Sequence, residues 1–384
     1  MSFDFATASR IIFGIGTVKE SGKLAAQFGD RAFLVTSCGG ADPSALMDIL
    51  KTAGIQYSSI EVCGEPTVGF VLEAVRTAKN FQSNLVIAFG GGSVIDTGKA
   101  VAALLTNLGE LMDYLEVVGR GKPLVQPSLP MIAIPTTAGT GSEVTRNAVL
   151  AVPEQKVKVS LRGATMLPRL AIVDPEMTYH LPPAVTASTG MDALTQVIEP
   201  YVSIRANEMV DLYCREGMMR AARSLKSVYQ NGNDIQGRVD MAWASLLGGL
   251  CLANAGLGAV HGFAAPIGGM FPAPHGAVCA RLLPLVVEAN CQALRERQPD
   301  NPAIARYAEI ARILTGSHAA TIEDGIEWLK QLCADLHIPA LSDYGVANAD
   351  IAILVQKSTA ASSMKANPIQ LNAAELADIL EKAL

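Results

Sequence analysis

The 384-residue chain reads as an N-terminal α/β domain on a parallel, Rossmann-like sheet, followed by an all-helical C-terminal domain. In the first half, short apolar runs alternate with segments of helical periodicity, which implies a parallel sheet covered on both faces. After Leu181-Pro182-Pro183 no convincing strand remains. Proline favours helix starts and interrupts other structure. The expected domains are therefore 1–181, α/β, and 182–384, all-helical, with a cleft between them.

The elements follow in order. Arg10–Phe13, Arg31–Thr36, Tyr57–Val62 and Asn84–Phe89 are expected strands. Lys19–Gln27, Pro43–Thr52 and Val68–Lys79 have helical spacing between them. Met131–Ile134, Thr145–Val152, Lys156–Leu161 and Leu170–Val173 add strands. Ala184–Val202, Met209–Tyr229, Ile235–Ala255, Pro302–Leu314, Thr321–Leu336 and Asp350–Ser363 then read as helices.

Composition narrows the function classes. Half the chain is apolar, enough for large cores and against intrinsic disorder. A net charge of −6 with no basic block argues against nucleic acid. Met241–Ala280 lacks any Asp, Glu, Lys or Arg, but its eight Gly, three Pro and two His fit buried helices beside an active site better than a membrane span. No signal peptide is visible at the N-terminus. Seven scattered Cys without a CxxC pattern suggest reduced thiols and a cytoplasmic protein.

Two loops point to a nucleotide. The run Leu85-Val86-Ile87-Ala88-Phe89 delivers Gly90-Gly91-Gly92-Ser93 to a helix start. There bare backbone N–H groups and the helix dipole favour a phosphate. An ordinary tight turn would look the same. A second strand, Met131–Ile134, leads into Pro135-Thr136-Thr137-Ala138-Gly139-Thr140-Gly141-Ser142-Glu143, dense in small donors. Two such loops at strand carboxyl ends suggest a dinucleotide.

The helical half carries a metal constellation. Asp192 and Gln196 are four apart and share a helix face, while His261 and His275 lie in the charge-free stretch. An Asp and two imidazoles suit a divalent cation with open positions. The bland alternative is that each His is a hydrogen-bonded core residue.

Together the motifs Gly90-Gly91-Gly92-Ser93-x-x-Asp96, Pro135 to Glu143, Gly190-Met191-Asp192-Ala193-Leu194 and Pro274-His275-Gly276 resemble the iron-containing (group III) alcohol dehydrogenases, across nearly the whole chain. The resemblance implies an architecture like that of dehydroquinate synthase, and an NAD(P)-dependent enzyme interconverting an alcohol and an aldehyde or ketone. It implies cofactor contacts from Gly91, Gly92, Ser93, Asp96, Thr136, Thr137, Ser142 and Lys158. It further implies a catalytic iron or zinc on Asp192, His261 and His275, and a homodimer.

Three departures matter. Gln196 stands where the family has a fourth ligand, His, and a neutral amide oxygen is a weaker ligand. Ala265 replaces a His commonly linked to proton transfer. Ser37 stands where NAD-preferring relatives carry an Asp, so a 2′-phosphate is admitted and the expectation tilts to NADP. A metal-independent reductase of an oxo acid, resembling maleylacetate reductase, is the alternative. A non-catalytic dinucleotide-binding protein is the third reading.

Overall fold

A computed structural model describes residues 2–384. The chain forms two compact units. One comprises Ala6–Thr137 and Gly141–His180. The other comprises Leu181–Leu384, the N-terminal residues through Phe5, and Ala138–Thr140. Three residues of the Thr-rich loop thus group with the helices rather than with the rest of 1–181.

The first unit contains strands β1 (Ile11–Phe13), β2 (Arg31–Ser37), β3 (Gln56–Val62), β4 (Leu85–Gly90) and β5 (Met131–Pro135). They are followed by β6 (Asn147–Val152), β7 (Val157–Arg162) and β8 (Leu170–Val173). Its helices are α1 (Ser21–Ala25), α2 (Ser44–Thr52), α3 (Val68–Asn80), α4 (Gly92–Leu104) and the short α5 (Leu111–Tyr114). Six strands pair in parallel in the order β1-β8-β5-β4-β2-β3. The two-residue period divides each central strand between two cores. Leu85, Ile87 and Phe89 of β4 join one core with Leu34 and Ile132, while Val86 and Ala88 join the other with Phe33, Val35 and Ala133.

The sheet order reverses between β2 and β4: from β2 the chain goes outward to β3, then returns to β4 and β5 on the other side. Such a reversal opens a crevice at the strand carboxyl ends. Here those ends are Ser37 and Gly90.

Strands β6 and β7, expected as further strands, form a separate antiparallel hairpin. Their alternation buries Ala148, Leu150, Val159 and Leu161 against Ala100, Ala103 and Leu104 of α4.

The second unit is helical: α6 (Pro183–Val202), α7 (Glu208–Gln230), α8 (Ile235–Ala255), α9 (Ala259–Met270) and α10 (His275–Arg297). Then come α11 (Ala303–Thr315), α12 (Ile322–Asp335), α13 (Ile351–Ala360) and α14 (Ala373–Ala383). The charge-free stretch resolves into the end of α8, all of α9 and the start of α10. Helix α10 is long and apolar enough to cross a membrane, yet 72% of its most apolar window is buried in the protein. It packs as a core helix.

One expectation is corrected. Cys38 and Cys63 are joined by a disulfide, and only the other five cysteines are free. The parallel register sets Ser37 opposite Val62, so the next residue of each strand meets its neighbour, with Cα atoms 5.1 Å apart. That separation suits a disulfide. A sequence spacing of 25 carries no sign of it.

Candidate active site: a nucleotide-binding edge and a metal centre

Glycine is required where β4 turns into α4. A Cβ on Gly90 would lie 2.5 Å from Val94 Cγ2. Gly91 accepts from the N–H groups of Val94 and Ile95, both at 3.1 Å, and closes the first turn. The N–H groups of Gly92 and Ser93 open α4 without an intrahelical acceptor. Thr136 N–H donates to the Gly90 carbonyl at 3.0 Å, and a Cβ on Gly91 would lie 3.3 Å from Thr137 Cγ2. The expected Gly91, Gly92, Ser93, Thr136 and Thr137 therefore form one patch, with Ser37 at the end of the neighbouring β2.

Asp96 and Ser142 have other engagements. Lys99, one turn beyond Asp96, is fully buried. Its Nζ lies 2.9 Å from Asp96 Oδ1 and donates to Ser142 Oγ at 2.7 Å, Thr145 Oγ1 at 2.9 Å and the Asn147 carbonyl. The Ser142 hydroxyl donates to Asp96, whose second oxygen accepts Val149 N–H at 2.8 Å. This knot ties α4 to the Thr-rich loop and the hairpin. Burial pulls Lys99 below its usual range, against the field of Asp96. Burial also pushes buried Glu143 up to about 7, although Lys99 opposes the shift. Lys158 on β7 pairs with Glu65 at 2.9 Å.

In the helical unit, α6 turns Asp192, Gln196 and Glu199 to one face at i, i+4 and i+7, all buried. His261 sits in the first turn of α9, and His275 opens α10. His261 Nε2 is 3.3 Å from Asp192 Oδ1, and His275 Nε2 is 3.7 Å from the same oxygen. Glu199, missed in the sequence, braces this arrangement: Oε2 lies 2.7 Å from His261 Nδ1 and Oε1 accepts Val260 N–H at 2.7 Å. A Cβ on Gly258 would come within 2.8 Å of Glu199 Oε1, so glycine leaves room for the brace. Asn367 accepts from Ala259 N–H at 3.1 Å and holds the start of α9.

Burial alone would raise Asp192, but the fields of His275 and His261 outweigh it and bring the carboxyl to about 2. Burial disfavours charge on His261, yet its contacts with Cys279, Asp192 and Glu199 hold it well above the usual imidazole range. Asp192 Oδ1 and Gln196 Oε1 are buried acceptors without a hydrogen-bond donor. An unsatisfied buried acceptor costs about 1–3 kcal/mol. A divalent cation would satisfy Asp192 Oδ1, and the carboxylate with two imidazoles beside it fits one. Ala265, one turn past His261 on α9, offers only a methyl group.

The signal for Glu199 was its place seven residues after Asp192. For Lys99 it was the i, i+3 pairing with Asp96 on the helix that follows the glycines.

Comparison with known proteins agrees with this chemistry. Residues 8–175 match the family model "Iron-containing alcohol dehydrogenase", and 186–384 match "Fe-containing alcohol dehydrogenase family, C-terminal". Alcohol dehydrogenase 4 of Saccharomyces cerevisiae is 37% identical over 319 residues, covering 83% of this chain and 80% of the yeast protein. The crystal structure of a 1,3-propanediol oxidoreductase superposes with a TM-score of 0.92 at 32% identity, over the full length of both chains. A sulfoacetaldehyde reductase from Bifidobacterium kashiwanohense in complex with NAD+ gives 0.84 at 27% identity, covering 100% of this chain and 99% of that one. The chain belongs to the iron-containing alcohol dehydrogenase family, oxidoreductases that interconvert an alcohol and a carbonyl compound with a nicotinamide cofactor.

Proposed function

We propose that the protein uses Asp192, His261 and His275 to hold a divalent metal, with Gln196 close by, and binds NAD(P)H across the carboxyl ends of β2, β4 and β5. The observation that carries this reading is the buried Asp192 Oδ1, which has no hydrogen-bond donor and lies 3.3 and 3.7 Å from two imidazole nitrogens. Bound there, a divalent ion supplies Lewis acidity that polarises a carbonyl or lowers an alcohol's pKa.

The chain's own residues do the rest. Asp192 remains ionised through the working pH range. Glu199 fixes the ring of His261, so that Nε2 faces Asp192. The N–H groups of Gly92 and Ser93 take the pyrophosphate, and Thr136 and Thr137 stand beside it. These contacts orient C4 of the nicotinamide for hydride transfer; the hydride chemistry belongs to the cofactor. Ser37 at the end of β2 presents no carboxylate to a 2′-phosphate, which supports NADP(H) over NAD(H).

The test combines metal content and kinetics. Protein purified anaerobically without chelator should hold near one equivalent of iron or zinc, and Asp192→Asn should lose it with turnover. An alcohol and aldehyde panel should respond to NADPH more than to NADH. Full turnover in chelator would sink the metal reading. It would favour metal-free oxo-acid reduction, a reading that Gln196 and Ala265 support. In that case His261 and His275 would donate hydrogen bonds to the carbonyl oxygen.

A further inference from the structure

A stronger donor than the Gln196 amide lies beside the two imidazoles. Cys279 is buried on α10 one turn after His275, so the two side chains share a helix face. Its Sγ is 3.7 Å from His275 Nε2 and 3.9 Å from His261 Nε2. One donor atom from each of Asp192, His261, His275 and Cys279 lies within 4.8 Å of every other.

These separations can be compared with those of four donors set tetrahedrally about one ion, to which a substrate oxygen would add as a fifth. Metal bonds of about 2.0–2.1 Å to nitrogen or oxygen and about 2.3 Å to sulfur give edges of about 3.4 Å for N···O and about 3.6 Å for N···S. Four of the six edges are 3.3, 3.7, 3.7 and 3.9 Å, within a few tenths of an ångström of those values. The other two, Asp192 to Cys279 and His261 to His275, are no longer than 4.8 Å, so the set closes on an ion by a small inward movement.

We propose that Cys279 is the fourth ligand, so that the centre is Asp192, His261, His275 and a Cys279 thiolate, with Gln196 as a neighbouring acceptor. This rests on the metal reading above and deepens it. The thiol proton leaves to solvent as the metal binds. A thiolate is a softer, stronger donor than an amide and favours zinc among the abundant divalent ions. The position that lost an imidazole at 196 is thereby made good from α10.

The test uses the full-length protein, stripped of metal and titrated with Co2+ alone. A near-ultraviolet sulfur-to-cobalt charge-transfer band should grow to one equivalent. It should persist in Gln196→Ala and vanish in Cys279→Ser, which should also bind Zn2+ at least about 100-fold more weakly. Stoichiometric cobalt without the band in the wild-type protein overturns the thiolate ligand and leaves the metal reading standing with Gln196. Failure to bind Co2+ or Zn2+ at all overturns both. The wild-type spectrum decides the matter even where Cys279→Ser does not fold. Where it does, zinc affinity within about threefold of wild type refutes the proposal.

Discussion

Glu199 governs the orientation of the His261 imidazole, one of the proposed metal ligands, and Glu199→Gln removes its charge with little change of shape. In the native protein Oε1 accepts Val260 N–H and Oε2 meets His261 Nδ1, each at 2.7 Å. The Glu199 carboxylate only accepts, so Nδ1 keeps its proton, and a metal binding at Nε2 displaces the proton there. An amide offers one acceptor and one donor in place of two acceptors. With its oxygen toward Val260, its NH2 faces Nδ1, drives the proton to Nε2 and removes the ligating lone pair. With its oxygen toward His261, its NH2 opposes the Val260 N–H, and buried donors left unpaired cost about 1–3 kcal/mol each. Either orientation weakens the centre. Loss of such an outer carboxylate typically weakens metal binding 10- to 100-fold, or about 1.4–2.8 kcal/mol. Competition against a chromophoric chelator measures it for Zn2+. Affinity within about threefold of wild type, with unchanged helical circular dichroism, would refute the brace.

Two further outcomes follow from the nucleotide-binding unit. In Gly91→Ala the new methyl would stand 3.3 Å from Thr137 Cγ2, close but without a backbone clash, so the fold should hold. It would crowd the approach to the α4 N–H groups, and one lost hydrogen bond to a charged phosphate, about 1.5–3 kcal/mol, corresponds to roughly 10- to 150-fold weaker NAD(P)H binding. Nicotinamide fluorescence titration measures this, and an unchanged Kd would remove the phosphate from that loop. Glu143 gives a pH dependence. Its carboxyl is raised from 4.5 to about 7 in the folded protein. Between those values the folded state holds the extra proton, so this group's contribution is complete below pH 4.5 and is lost as pH rises to 7. The loss is of order 3 kcal/mol. Glu143→Gln should flatten that decline in denaturation midpoints measured from pH 5 to 8; an unaltered slope would show that Glu143 does not carry it.

What the residues revealed in advance was what obeys a local rule. The central strands alternate between two cores, and their apolar runs announced them. The turn after β4 needs glycine at position 90 because Val94 fills the space, and three consecutive glycines marked it. Asp192 and Gln196 share a face by helix geometry alone, and the expected His261 and His275 lie beside Asp192. The features that escaped depend on register or on packing between distant elements. Cys38 meets Cys63 only because two parallel strands align Ser37 with Val62. Strands β6 and β7 leave the main sheet because both bury one face on α4, which no strand pattern reports.

Lys99 and Glu199 are the instructive misses, since each is a charge in a place where charge is expensive. On a helix in isolation, Lys99 reads as a solvated residue, and its burial is tolerable only because Asp96, Ser142, Thr145 and Asn147 converge on it from three segments. Glu199 likewise needs Val260, His261 and the gap left by Gly258. Both stand one helical turn from a residue already recognised: Lys99 at i+3 from Asp96, and Glu199 at i+3 from Gln196. Cys279 follows the same rule at i+4 from His275. A functional helix face therefore extends beyond its motif, because the next turn of the helix that carries a recognised residue faces the same neighbouring segments: Lys99 meets Ser142 and Thr145, and Glu199 meets His261 on α9.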